Sequence, residues 1–155
     1  MARINRADLA VYGYFHICSI GNNKQSIFCD RKDRLRYLGL LEKYLKLNRI
    51  QCYAYCLMTN HIHLLLLSPK IKLLSRAIHA AHTGYAAWFN KKHGRTGHLF
   101  ENRFSSWVIR GDDHLLRTKD YIENNPVKAG LVKVKSEYEW SSARGDEPRV
   151  TLYKI

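Results

Sequence analysis

Ile50–Leu67 reads IQCYAYCLMTNHIHLLLL. The stretch divides into a strand from Ile50 to Met58, a tight turn at Thr59-Asn60 and a second strand from His61 to Leu67, because β-branched, aromatic and apolar residues flank a short polar break. Ser68-Pro69 ends the second strand. Downstream, Leu74, Ala77, Ile78, Ala81, Tyr85, Trp88 and Phe89 recur at helical spacing and predict a long amphipathic helix that stops near Gly94. Upstream, Leu35, Leu38, Leu41 and Leu45 predict another helix, capped by Asp30 with Asp33 in the capping-box position. Before that helix, Tyr12–Ile20 (YGYFHICSI) reads as a strand closed by Gly21-Asn22-Asn23. His98 to Arg110 reads as a fourth, interrupted strand. A third helix, capped by Asp112 or Asp113, is stopped by Pro126 near Asn125. The rest, through Trp140-Ser141-Ser142, is irregular.

The order β-α-β-β-α-β plus one helix predicts an α+β, ferredoxin-like antiparallel sheet. Two helices would cover one face, and the additional C-terminal helix would carry a tyrosine, Tyr121. No repeat or linker interrupts the 155 residues, so residues 1–155 read as one domain. That fold hosts many activities and decides none.

Composition narrows the classes. Lys and Arg number 26 against 13 Asp and Glu, a formal balance of +13. At 46% hydrophobic and 25% charged, with three prolines, the chain is globular rather than disordered or fibrous. Its longest purely aliphatic run, Leu64–Leu67, is far short of the roughly 18 residues that span a bilayer. The N-terminal Met1-Ala2-Arg3-Ile4-Asn5-Arg6 is basic with no apolar run behind it, so no secretory signal is expected. Cys18, Cys29, Cys52 and Cys56 read as reduced thiols of a cytosolic protein. Between Glu42 and Glu101 there is no acidic residue, while nine Lys or Arg and six of the eight histidines fall there. A polyanion such as a nucleic acid backbone is the expected partner, and no membrane is.

His61-Ile62-His63 lies in that stretch. On a strand, residues two apart share a face, so both imidazoles project together and Ile62 points away. Paired imidazoles are half of a metal site. They are equally a hydrogen-bonded pair on a half-exposed strand. With no carboxylate nearby, further donors would come from a distant element. Cys52 and Cys56, four apart, would share a side of their strand and keep zinc open.

On the third helix, at about 100° per residue, His114, Arg117 and Asn125 fall within about 40° of Tyr121. Leu115, Leu116 and Ile122 lie on the far side and predict the packed face. The polar strip reads as a solvated face or as a nucleophile with a ligand one turn away. A phenol can attack a phosphodiester when a divalent cation stabilises charge on the non-bridging oxygens. Two imidazoles and the Asn125 amide oxygen would hold that cation. No Gly-x-x-x-x-Gly-Lys-Ser/Thr loop occurs, consistent with an exchange that needs no ATP.

Met58-Thr59-Asn60-His61-Ile62-His63-Leu64-Leu65 resembles the histidine–hydrophobe–histidine (HUH) signature of single-strand DNA endonucleases. Tyr121–Val132 (YIENNPVKAGLV) resembles the tyrosine helix and exit turn of REP-associated tyrosine transposases, relatives of insertion-sequence transposases. Gly21–Gln25, Gly97–Ser105 and Trp140-Ser141-Ser142 are similar to further landmarks, so the likeness spans residues 10–145 in order. The resemblance implies a metal-dependent single-strand DNA endonuclease and strand transferase that acts near hairpins of palindromic repeats. Tyr121 would form a 5′-phosphotyrosine and free a 3′-hydroxyl. His61 and His63 would bind Mg²⁺ or Mn²⁺, with Asn125 where insertion-sequence relatives carry Gln. Lys91, Lys92, Arg95, Arg103 and Arg117 would contact DNA, with Tyr85, Trp88, Phe100 or Phe104 available for stacking, although Tyr85 and Trp88 read first as core residues. A monomer, in the prokaryotic cytoplasm with the nucleoid, is favoured over a dimer. Two alternatives stand beside it: a non-catalytic ferredoxin-like nucleic-acid-binding module, and a phosphoesterase with a water nucleophile. The first lacks an RNP1-like run, and the second lacks a local carboxylate cluster.

Overall fold

The computed structural model describes residues 12–145 and 149–155. The basic N-terminal hexapeptide lies outside them. Four strands and three principal helices follow the expected order: β1 (Gly13–Ile20), α1 (Arg31–Leu47), β2 (Gln51–Leu57), β3 (His61–Ser68), α2 (Ile71–His93), β4 (Ser105–Ile109) and α3 (Asp112–Glu123). A short helix, α4 (Asn125–Lys128), comes last. The sheet runs β2-β3-β1-β4 with every neighbouring pair antiparallel, which is the ferredoxin-like order.

The β2–β3 hairpin closes through the Met58 N–H donating to the His61 carbonyl at 2.9 Å. The turn is held from outside, because the Thr59 and Asn60 carbonyls accept from Ile27 and Gly21. A Cβ on Gly21 would collide with the Gln25 carbonyl oxygen and the Ile27 side chain, so only glycine fits this close approach.

Strand pairing defines two faces. Residues opposite one another share a face, so Phe15 with Leu66, and Ile17 with Leu64, look one way. There α1 and α2 cover them, packing Tyr37, Leu38, Leu41 and Leu45 with Leu74, Ile78, Tyr85 and Phe89 into one core. The predicted capping box forms: Asp30 accepts from the Asp33 N–H, and Asp33 accepts from the Asp30 N–H. Leu35 stays exposed, and Tyr37 takes the core position expected of it. On the other end, α2 stops at Gly94, whose φ of 61° is left-handed.

Three further expectations are revised. The fourth strand is only Ser105–Ile109, with Phe100 making an isolated bridge to Gly21. Pro126 does not simply stop a helix: α3 ends at Glu123, and Pro126 sits in the first turn of α4, where its missing N–H costs nothing. Leu116 is 53% exposed, and Leu115, Thr118, Ile122 and Glu123 form the packed side of α3. Among the described residues no helix is long and apolar enough to cross a membrane.

Candidate active site

The second face of the sheet carries the polar chemistry. Opposite pairs there are His16 with Leu65 and Trp107, Cys18 with His63 and Ser105, and Ile20 with His61. Ile62 is buried on the helix-covered face, as the alternation of a strand requires. Helix α3 crosses this second face over β2 and β3. It is seated by Leu115 and Ile122 and by Glu123, which is only 3% exposed. The Glu123 carboxylate accepts from Lys119 Nζ at 2.7 Å, Ser142 Oγ at 2.9 Å and Lys135 Nζ at 3.4 Å. That seat fixes the rotation of α3 and turns Tyr121 toward the histidines.

The Tyr121 ring meets His63 edge-on at 5.7 Å between centroids and His16 at 5.9 Å. It remains 42% exposed, enough for a polymeric substrate to reach it. Lys128 Nζ lies 4.6 Å from the same ring. The His61 and His63 rings are 5.1 Å apart and perpendicular. His61 Nδ1–H donates to Asn60 Oδ1 at 2.7 Å, and the Asn60 amide is oriented by its own donation to the Lys24 carbonyl. The lone pair of His61 is thereby on Nε2. His63 Nδ1 is 3.0 Å from His16 Nε2. Asn125 Nδ2 donates to the Tyr121 carbonyl at 3.2 Å, and the Asn125 side chain lies within reach of His61, where it favours the protonated ring.

Burial keeps these imidazoles neutral. It pushes His63 down to about 3, with His16 and His61 adding to the effect, and His16 down to about 4, with His114 adding to it. His61 is lowered by burial too, against which a hydrogen bond with Asn125 acts. Neutral nitrogens and an amide oxygen are donors that suit a divalent cation, so His61, His63 and Asn125 fit one.

The thiols do not join them. A bulge at Tyr53 shifts the register of β2, so Cys52 pairs with Leu66 on the helix side while Cys56 pairs with His63. The expected common side for Cys52 and Cys56 is therefore lost, and burial raises both thiols to about 12. Among the described residues, Cys29, Asp33 and His93 approach one another closely enough to share an ion. The Asp33 carboxylate there already accepts from the Cys29 and Asp30 N–H groups and from Lys92, which is what an ion pair and a helix cap need.

Of the five basic residues expected at DNA, only Arg117 stands on α3, one turn before Tyr121, and it is exposed. Lys91, Lys92 and Arg95 lie at the end of α2, which packs on the opposite face. Lys92 is committed to Asp30 at 2.6 Å and Asp33 at 2.7 Å, so the acid-free stretch borrows its carboxylates from α1. Arg95 donates to Gln25 and lies over the Phe89 ring. Arg103 is exposed and lines a cleft of about 1040 Å³ between α2 and residues 97–106, with Arg76, His79 and Phe104. Tyr85 is fully buried and unavailable for stacking. No spacing in the sequence points to His16, Trp107 or Lys128 as site residues. His16 and Lys128 reach Tyr121, and Trp107 reaches His16, through strand register and the turn after α3, neither of which spacing reveals.

Fold and site together define a class. The chain belongs to the IS200-like transposase family, whose model, described as "Transposase IS200 like", matches residues 10–125. Within that class it is similar to REP-associated tyrosine transposases. It is similar to one from Haemophilus influenzae, 32% identical over 146 residues that cover 86% of this chain and 80% of that one. It is also similar in fold to a solved REP-associated tyrosine transposase bound to a REP hairpin, with a TM-score of 0.70 and 21% identity. That match covers 99% of this chain and 93% of the other.

Proposed function

We propose that this transposase-family chain is a single-strand DNA endonuclease and strand transferase that acts near hairpins of palindromic repeats through a 5′-phosphotyrosine. The observation that carries the reading is the exposed Tyr121 phenol beside the neutral His61–His63 pair. The solved relative bound to a REP hairpin supports the choice of DNA partner.

In this reaction Tyr121 Oη releases its proton to solvent, attacks the scissile phosphorus and forms a P–O bond. The bond from phosphorus to the 3′ oxygen breaks, and that oxygen leaves as a hydroxyl after taking a proton. One phosphoester replaces another, so a later hydroxyl can reverse the step. His61, His63 and Asn125 would hold a divalent cation, Mg²⁺ or Mn²⁺, which when bound supplies Lewis-acid stabilisation of the non-bridging oxygens. Asn125 also ties its amide to the Tyr121 carbonyl, so the nucleophile and the donor set are braced by one helix turn. Arg117 and Lys128 lie within a turn or two of Tyr121 and attract the phosphate backbone. The protein would work as a monomer on nucleoid DNA in the prokaryotic cytoplasm.

The test is a labelled single-stranded hairpin incubated with Mn²⁺ and run on a denaturing gel. A covalent protein–DNA band is expected, and it should vanish in Tyr121→Phe. Cleavage that persists in Tyr121→Phe would replace the tyrosine with water as nucleophile. Hairpin binding with no cleavage in any divalent metal would leave a binding module.

A further inference from the structure

Behind the histidine pair stands a third imidazole with no part in the reaction above. His16 comes from β1, is 4% exposed, and packs its ring between Trp107 at 5.2 Å and Tyr121 at 5.9 Å. Its Nε2 lies 3.0 Å from His63 Nδ1, within hydrogen-bond distance. A neutral imidazole carries one N–H, on either nitrogen. His63 can therefore offer a lone pair from Nε2 only when its proton sits on Nδ1. In that state Nδ1–H needs an acceptor, and the unprotonated Nε2 of His16 is the group within reach.

We propose that His16 is a positioning residue: by accepting the Nδ1–H of His63 it selects the tautomer, and fixes the ring orientation, that turns the His63 Nε2 lone pair toward a divalent cation beside Tyr121. The inference rests on the reading of His61 and His63 as cation ligands. His61 is braced in the same way, since Asn60 Oδ1 takes its Nδ1–H at 2.7 Å. Both imidazoles of the motif are thus held at Nδ1, one by a turn amide and one by a buried ring. Outer partners of this kind typically govern metal affinity by about 10–100-fold. Histidine suits the position because it joins a flat apolar ring, which packs against Trp107, to one acceptor nitrogen.

Two measurements test this. In the metal-free wild type, ¹⁵N shifts of the His63 ring should place its proton on Nδ1; a proton on Nε2 would overturn the proposal whatever the metal does. Mn²⁺ affinity is then measured by the EPR signal of the free ion in the wild type, His16→Phe, His16→Gln and His63→Ala, with metal-free hairpin binding and urea midpoints as controls. His16→Phe should weaken Mn²⁺ about 10–100-fold. His16→Gln, whose amide oxygen can accept the same proton, should restore most of the loss, and hairpin binding should be unchanged in both. Wild-type affinity in His16→Phe overturns the proposal. So does a loss as complete as that of His63→Ala without rescue by Gln, because His16 would then be a ligand itself. A wild type that binds no Mn²⁺ removes the cation reading instead, and the ¹⁵N result still decides the hydrogen bond.

Discussion

Acid should unfold this protein through its buried histidines, and His82 offers the cleanest measure. It lies on α2 with its ring stacked on Phe100 at 4.3 Å and its Nε2 3.2 Å from Tyr37 Oη. Burial pushes it from 6.5 down to about 3, with His79 nearby adding to the effect. Between those values the unfolded chain takes up a proton that the folded chain refuses, so stability is full above about pH 6.5 and falls as the pH drops toward 3. For this one site the linkage amounts to about 2 kcal/mol at about pH 5 relative to about pH 8. His16 and His63 act in the same direction, so the wild type should lose more than this. Urea unfolding followed by tryptophan fluorescence at both pH values measures the total. His82→Phe keeps a ring against Phe100 and removes the titrating group. It also strips Tyr37 of its partner, but that penalty is the same at both pH values and cancels in the difference. The variant should therefore lose about 2 kcal/mol less than the wild type between the two pH values. Equal losses in the two proteins would refute the reasoning and locate the acid sensitivity elsewhere.

Two other substitutions separate roles that composition alone confuses. Lys92→Ala should lower the urea midpoint and leave hairpin affinity within about twofold, because its ammonium serves Asp30 and Asp33, whereas Arg117→Ala should weaken hairpin binding and reduce the salt slope by about one. Gly21→Ala should cost about 1–3 kcal/mol in chemical denaturation, since its Cβ would press on the Gln25 backbone and loosen the segment that holds the Thr59-Asn60 turn.

Element order was legible because each signal is local. Alternation around Ile62, the Asp30–Asp33 cap and the left-handed stop at Gly94 all depend on neighbours within a few residues, and each appears where expected. Side-chain direction was legible only as far as a strand or helix stays regular. The bulge at Tyr53 adds one residue to β2 and sends Cys52 to the face opposite Cys56, which no count of spacing could foresee. The same counting puts Leu116 on the packed side of α3. It stays in solvent because α3 rests on the sheet through the Leu115, Thr118 and Ile122 stripe.

Sequence by itself determined the sheet order's ingredients, the parallel projection of His61 and His63, and a helix that carries Tyr121 one turn from Asn125. These follow from periods of two and 3.6 residues, which are properties of the backbone. Tertiary structure decided what those groups face. Antiparallel pairing of β1 with β3 brought His16 to His63 across 47 residues of chain, and the buried Glu123 seat turned Tyr121 onto them. It also spent Lys92 on α1 and left Arg117 and Lys128 beside the tyrosine. Net charge belongs to the chain, but a charge acts on what lies within a few ångströms of it, and only folding sets those distances.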